Sequence, residues 1–368
     1  MDALKRLLDH LESIADINKA QEKIDNQKKC LNFESTSKPI VKIYYNSPDF
    51  KPYSMEEIHC DIEKMMFNEI YGVIPQLETN DGGVAMIRAN YGVGILPSLF
   101  GAKCSIINGN MPWCDHLDED AIKKILSKGV PDLMNGYGQR IKETHAFYTE
   151  TLAKYPKLSK IIKIYHPDFQ GPFDVAHLLY GSEIYYQFYE DPTMLHELLE
   201  LVSQTYIANM RETKRQINDC EDGFVYHWGH LFPGSIVLRD DSAVNLSADM
   251  YEEFVRPYND KVLSAFDNGS MHFCGRADHW VFNMADDDLI RGYNVGWMNT
   301  CTFGMEYLDF IKKGYYDRKK PVVSYNIPFS QVDEFDFNKY KSGVSYYVSI
   351  GAADSKMANE VLKKIYKD

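Results

Sequence analysis

The chain opens with Leu4, Leu7, Leu8, Leu11 and Ile14 at helical spacing, with charged side chains between them. That pattern predicts an amphipathic helix with one apolar face. A polar stretch from Gln21 to Lys38 reads as a connection leading through Pro39 to the first strand. Residues 1–39 are therefore expected to be a helical extension, either capping one end of the main domain or serving as a dimer arm.

From Ile40 onward, short apolar runs alternate with longer helical patterns. Strands are expected at Ile40–Asn46, Val84–Asn90, Ile161–Phe169, Gly223–Leu231, Ser270–Gly275, Tyr293–Met298, Pro321–Ile327 and Val344–Ile350. Between them, Asp191-Pro-Thr-Met opens a helix through Leu195, Leu198, Leu199, Leu201 and Val202. Ser247 is placed as the N-cap of another, with acidic residues in its first turn. Eight strands alternating with helices predict a single α/β domain, residues 40–368, folded as a TIM-type (β/α)8 barrel. The competing open sheet would carry a glycine-rich dinucleotide fingerprint after its first strand, and none is present there.

Composition narrows the function classes. Lys and Arg total 40 against 53 Asp and Glu, a formal net charge of −13. Such an acidic balance argues against nucleic acid or an anionic membrane as partner. No apolar run approaches the roughly 20 residues of a membrane helix. The seven cysteines show no disulfide framework and no CxxC spacing, so a reducing cytoplasm is the expected setting.

Several predicted strands end in chemically capable side chains. The clearest case is Met271-His-Phe-Cys-Gly-Arg276. His272 and Cys274 are two residues apart, so in a strand both point to one face. An imidazole and a thiolate aimed at one point are half of a zinc site. Candidates to complete it are Cys301, His227, His230 and Asp241. Each also has a plain reading as a packed thiol, a buried hydrogen-bonded imidazole, or a helix-capping or orienting carboxylate. Without a metal, His272 or Asp241 would be a proton donor or acceptor. Arg88 and Arg276 are candidates to bind a substrate carboxylate or phosphate, with a salt bridge as the alternative for each. Asn90 is a further catalytic candidate, and His230 and Trp228 are candidates to bind the substrate.

These stretches, in this order, resemble the uroporphyrinogen decarboxylase superfamily, which includes zinc-dependent methyltransferases that use corrinoid proteins. The resemblance is carried by Ile87-Arg-Ala-Asn-Tyr-Gly through Gly101, Gln170-Gly-Pro-Phe-Asp through Tyr180-Gly181, and Tyr189-Glu-Asp-Pro192. It continues in Arg239-Asp-Asp-Ser through Ser247, Tyr251-Glu-Glu-Phe-Val-Arg-Pro257, and Met271 to Gly275. Together they span roughly residues 75–350, and the family fold is also a (β/α)8 barrel. The departures bear on activity. The decarboxylase's early arginines have no counterpart in Ile43-Tyr-Tyr-Asn-Ser-Pro48, and its key aspartate aligns with Asn90. Its late histidine falls near Gly351-Ala352, and a loop tyrosine near His177 or Leu178. Turnover of uroporphyrinogen itself is not expected.

The methyltransferases' ligand pattern matches His272 and Cys274, while their second cysteine falls near Ala352, which cannot ligate. The resemblance implies methyl transfer between a corrinoid protein and a thiol or other small acceptor at a metal centre. The methyl-corrinoid would arrive on a separate partner, because no Asp-x-His-x-x-Gly of the corrinoid-binding type is present. The alternatives are a lyase acting on a carboxylated, tetrapyrrole-like small molecule, and a non-catalytic ligand-binding barrel.

Overall fold

The computed structural model describes residues 3–296 and 304–367. Eight strands take part in parallel ladders: β1 (Ile40–Asn46), β2 (Met86–Ile87), β3 (Lys163–Ile164), β4 (Val237–Arg239), β5 (Gly269–Cys274), β6 (Ile290–Gly296), β7 (Val322–Pro328) and β8 (Val344–Ala352). Six of them form one sheet in the order β1-β8-β7-β6-β5-β4, and β2 and β3 pair separately. Backbone hydrogen bonds tie the flanks of that pair to the sheet's two edges. The Gly82 N–H donates to the Val41 carbonyl on β1, and the Gly171 N–H to the Arg239 carbonyl on β4, each at 2.7 Å. Helices fill the connections, giving the mixed α/β architecture that the alternating pattern predicts.

Strand alternation decides which side chains reach the interior. On β1, Val41, Ile43 and Tyr45 are fully buried and the Tyr45 hydroxyl reaches Glu78 at 2.5 Å. Lys42 and Tyr44, on the opposite face, are only part-buried because they border a cavity. On β5 the same alternation turns His272 and Cys274 to one side, with Asn294 of β6 in register with His272 and Gly296 with Cys274.

Two expectations are corrected. The run Gly223–Leu231 is not a strand of the parallel sheet. It belongs to an antiparallel meander of Cys220–Glu221, Phe224–His227 and His230–Pro233. Its tight turns, Asp222-Gly223 and Trp228-Gly229, both have positive φ at each residue (51° and 80°; 48° and 82°), as two-residue hairpin turns require. The fourth parallel strand is instead the short Val237–Arg239, so His227 and His230 face each other across a turn rather than ending a strand of the main sheet.

The second correction concerns the N-terminal region. After α1 (Ala3–Ile14) the chain forms α2 (Ile17–Leu31), capped by the Asp16 carboxylate, where a polar connection was expected. Its buried face carries Lys23 and Gln27 beside Ile24, Cys30 and Leu31. Lys23 Nζ donates to Asp81 and to the Gln76 carbonyl, both at 2.7 Å. Gln27 donates to the carbonyls of Gly82 (2.7 Å) and Gly229 (3.3 Å) and accepts from the Leu231 N–H (2.6 Å). Leu4, Leu7, Leu8 and Leu11 of α1 join the main core, as their spacing predicts, while Ile14 is exposed. Among the described residues, no helix is long and apolar enough to cross a membrane.

Candidate metal centre

His272 and Cys274 project from the last turns of β5, and Asp241 from the loop after β4. The His272 Nε2 lies 3.6 Å from the Cys274 Sγ and 3.4 Å from the Asp241 Oδ1. All three ligand atoms lie within 4.8 Å of one another. Among the described residues, this is the one group of three or more His, Cys, Asp or Glu side chains with such convergence.

The other ring nitrogen of His272 is held by β6. Its Nδ1 is 2.6 Å from the Asn294 Oδ1, while Asn294 Nδ2 donates to the carbonyls of Val323 (2.6 Å) and Ser324 (3.2 Å). With the amide nitrogen so committed, its oxygen faces His272 and Nδ1 carries the hydrogen. The Nε2 then offers either a lone pair or, in the imidazolium, a second proton. In the neutral ring a lone pair, a carboxylate and a sulfur converge on one point, an arrangement that a bound cation would satisfy.

The loop carrying Asp241 is fixed from behind. Asp174, on α3 (Pro172–Tyr180), accepts from the N–H groups of Asp241 (2.7 Å) and Ser242 (2.6 Å). Asp241 in turn accepts from the Cys274 N–H at 2.6 Å. Burial, and then the charge of Asp241, push the Asp174 carboxyl up to about 8. Burial acts the same way on Asp241, but the hydrogen bond and charge of His272 and the Cys274 N–H outweigh it and hold the carboxyl at about 2. Burial and the adjacent carboxylate raise the Cys274 thiol, so this thiol needs a neighbouring cation to ionise.

Zinc has suitable dimensions for the three donors. Zn–N of about 2.0–2.1 Å, Zn–S of about 2.3 Å and Zn–O of about 2.0–2.2 Å in a tetrahedron place N and S about 3.6 Å apart and N and O about 3.4 Å apart. The separations from Nε2 agree with these edges. Gly296 leaves the space open: a Cβ there would stand 2.5 Å from the Cys274 Sγ and 2.7 Å from the His272 Cε1.

The remaining sequence candidates fall elsewhere. His227 Nε2 is 2.7 Å from the Arg239 guanidinium, and both ring nitrogens of His230 are buried without a hydrogen-bond partner; neither joins the metal cluster. Trp228 packs edge-on against His272, with ring centroids 4.7 Å apart, beneath Arg239. Asn90 donates to Glu69 at 3.0 Å. Arg88 and Arg239 both bond Asp168. Arg276 forms a half-exposed pair with Asp278 and lies over the Tyr307 ring. Cys301 lies outside the described residues. Ala352 closes β8 and contributes no ligand atom.

Asn294, Asp174, Asp168 and Gly296 were not singled out from the sequence. Two of them carried a signal: Asn294 as a polar residue inside an otherwise apolar predicted strand, and Asp174 as the end of the Gln170-Gly-Pro-Phe-Asp stretch.

With this geometry in hand, comparison with solved structures gives a fold likeness. A methyltransferase from Methanosarcina mazei superposes with a TM-score of 0.64 at 15% identity, covering 94% of this chain and 97% of that one. The chain shares the fold of a methyltransferase. At that identity the likeness extends to architecture alone. No family model and no curated protein sequence matches the chain.

Proposed function

We propose that the protein is a metal-dependent methyltransferase in which Asp241, His272 and Cys274 hold zinc. In this reading the eight parallel strands close into a (β/α)8 barrel, with residues 1–39 as a helical extension packed on it. The methyl group moves between a corrinoid, carried by a separate partner protein, and a thiol or other small acceptor. The observation that carries the proposal is the convergence of three donor atoms within 4.8 Å, the two separations from His272 Nε2 matching tetrahedral edges, with the second ring nitrogen of His272 committed to Asn294. The fold shared with the Methanosarcina mazei methyltransferase supports the reaction class.

Bound zinc would supply Lewis acidity that keeps an acceptor thiol ionised at neutral pH. The protein's own residues do the positioning. Asn294 keeps the Nδ1 proton in place, Asp174 fixes the loop bearing Asp241, and Gly296 leaves room beside the sulfur. Trp228 walls the site on one side. In the transfer, the acceptor sulfur loses its proton to solvent and forms a bond to the methyl carbon. The carbon–cobalt bond breaks with its electron pair staying on cobalt.

The test is transfer from free methylcobalamin to 3-mercaptopropionate by zinc-loaded protein, followed by the loss of the methylcobalamin absorbance and by formation of the thioether. Product that depends on His272 and Cys274 supports the assignment. A zinc-replete protein that forms no thioether with this or other small thiols contradicts it.

A further inference from the structure

The face of β1 that carries Lys42 and Tyr44 leads to a second site. Lys42, Tyr44, Arg88, Tyr165, Trp228 and Tyr347 border a cavity of about 240 Å³, small beside the 300–1,000 Å³ typical of drug-sized sites. Lys42 Nζ donates to the Trp228 carbonyl at 2.9 Å and lies 5.3 Å from the Tyr347 ring centroid. Among the described residues no carboxylate stands within ion-pair distance of it. An ammonium has three donors, and this hydrogen bond uses one. Its stem is fixed by the hairpin turn: a Cβ on Gly229 would stand 2.6 Å from its Cδ and Cε.

Arg88, on the same cavity, shares its one counterion, Asp168, with Arg239. Glu69 is the other acid here, and it already accepts from the Arg88 backbone N–H and the Asn90 amide, both at 3.0 Å. Asp81, the carboxylate that acts most on Lys42, is itself paired with Lys23 at 2.7 Å. Lys23, Lys42, Arg88 and Arg239 thus face three carboxylates, Asp81, Glu69 and Asp168, and the uncompensated charge is on the cavity wall. A part-buried charge without an ionic partner is under-compensated, so an anion in the cavity would stabilise this arrangement. Burial, the leading influence on Lys42, pushes its ammonium down to about 8, still mostly protonated at pH 7.

We propose that this cavity binds the carboxylate of a small organic acid, gripped by Lys42 and Arg88, with its body against the tyrosine and tryptophan rings. The inference is independent of the metal. Trp228 stands between the two sites, its carbonyl on Lys42 and its ring on His272.

The experiment is calorimetric titration of the full-length protein at pH 7, as purified and again after metal removal. The probes are succinate and benzoate, with succinamide and benzamide as neutral counterparts of the same shape. At least one acid is expected to bind about tenfold or more tightly than its amide, since an ionised partner strengthens each hydrogen bond. The preference should persist in the metal-free protein. Lys42→Gln should weaken that acid about tenfold and leave the amide unchanged. Amides binding as well as both acids, or full acid affinity in a folded Lys42→Gln, would overturn the proposal. If that variant does not fold, the acid-to-amide ratio of the unaltered protein decides alone.

Discussion

The His272 Nδ1 lies 2.6 Å from the Asn294 Oδ1, on neighbouring strands in direct register. Because the Asn294 Nδ2 is occupied by two backbone carbonyls, the contact fixes which imidazole nitrogen can take a metal. Asn294→Leu should therefore weaken zinc binding about 10–100-fold, as loss of an outer-shell partner typically does. Competition with a chromogenic chelator measures this. A variant that competes as well as the unaltered protein would show that Asn294 does not orient the ligand.

Gly296→Ala places a methyl group where the Cys274 sulfur and the His272 ring already stand. Those ligands must shift, and the expected result is a sharp loss of zinc affinity with secondary structure retained. Circular dichroism and metal stoichiometry on the same sample separate the two effects. Retention of full zinc affinity would mean that the site has more room than its geometry allows.

Gln27→Leu should cost about 3 kcal/mol or more in denaturant unfolding. It removes a buried side chain that serves two carbonyls and one N–H, and buried groups left without partners cost about 1–3 kcal/mol each. Lys29→Ala, on the exposed side of α2 (Ile17–Leu31), should change stability by less than about 0.5 kcal/mol. Equal effects of the two would contradict the plugging role of Gln27.

His59 and His145 are both buried, and burial is the leading cause that pushes each down to about 4. Unfolded, each takes its proton near the ordinary value of about 6.5. Between those values the unfolded chain binds more protons, so stability rises with pH. The contribution is whole above about pH 6.5 and is lost as pH falls toward 4, by a few kcal/mol in total. Urea unfolding at pH 7.5, 6 and 4.5 should trace this decline, and His145→Gln should flatten it. A flat profile in the unaltered protein would contradict it.

Much of the architecture was legible because burial follows simple periods. Leu4 to Leu11 announced α1 (Ala3–Ile14), and the extent predicted for β1 coincides with Ile40–Asn46. The α2 helix is hard to read because its inward face spends Lys23 and Gln27 on polar partners, which interrupts the apolar stripe of Ile24, Cys30 and Leu31. The meander was mistaken for a strand of the main sheet because its residues are buried on both faces. Asp222-Gly223 was its readable hairpin signal, whereas a Trp at positive φ in the second turn is not one. At the centre, His272 and Cys274 stood out by their spacing. Asp241 was one of several candidates, and choosing among them needed the distances. Asn294 acts through register across two strands, which no local pattern encodes.

The most direct test of the account is the zinc content of the full-length protein after zinc loading and gel filtration, measured by plasma mass spectrometry. About one tightly held ion per chain is predicted for a tetrahedral site of this kind. His272→Ala and Cys274→Ala should each lose it while keeping the fold. Unaltered protein that retains no zinc would contradict the metal centre, and the methyltransferase assignment would fall with it.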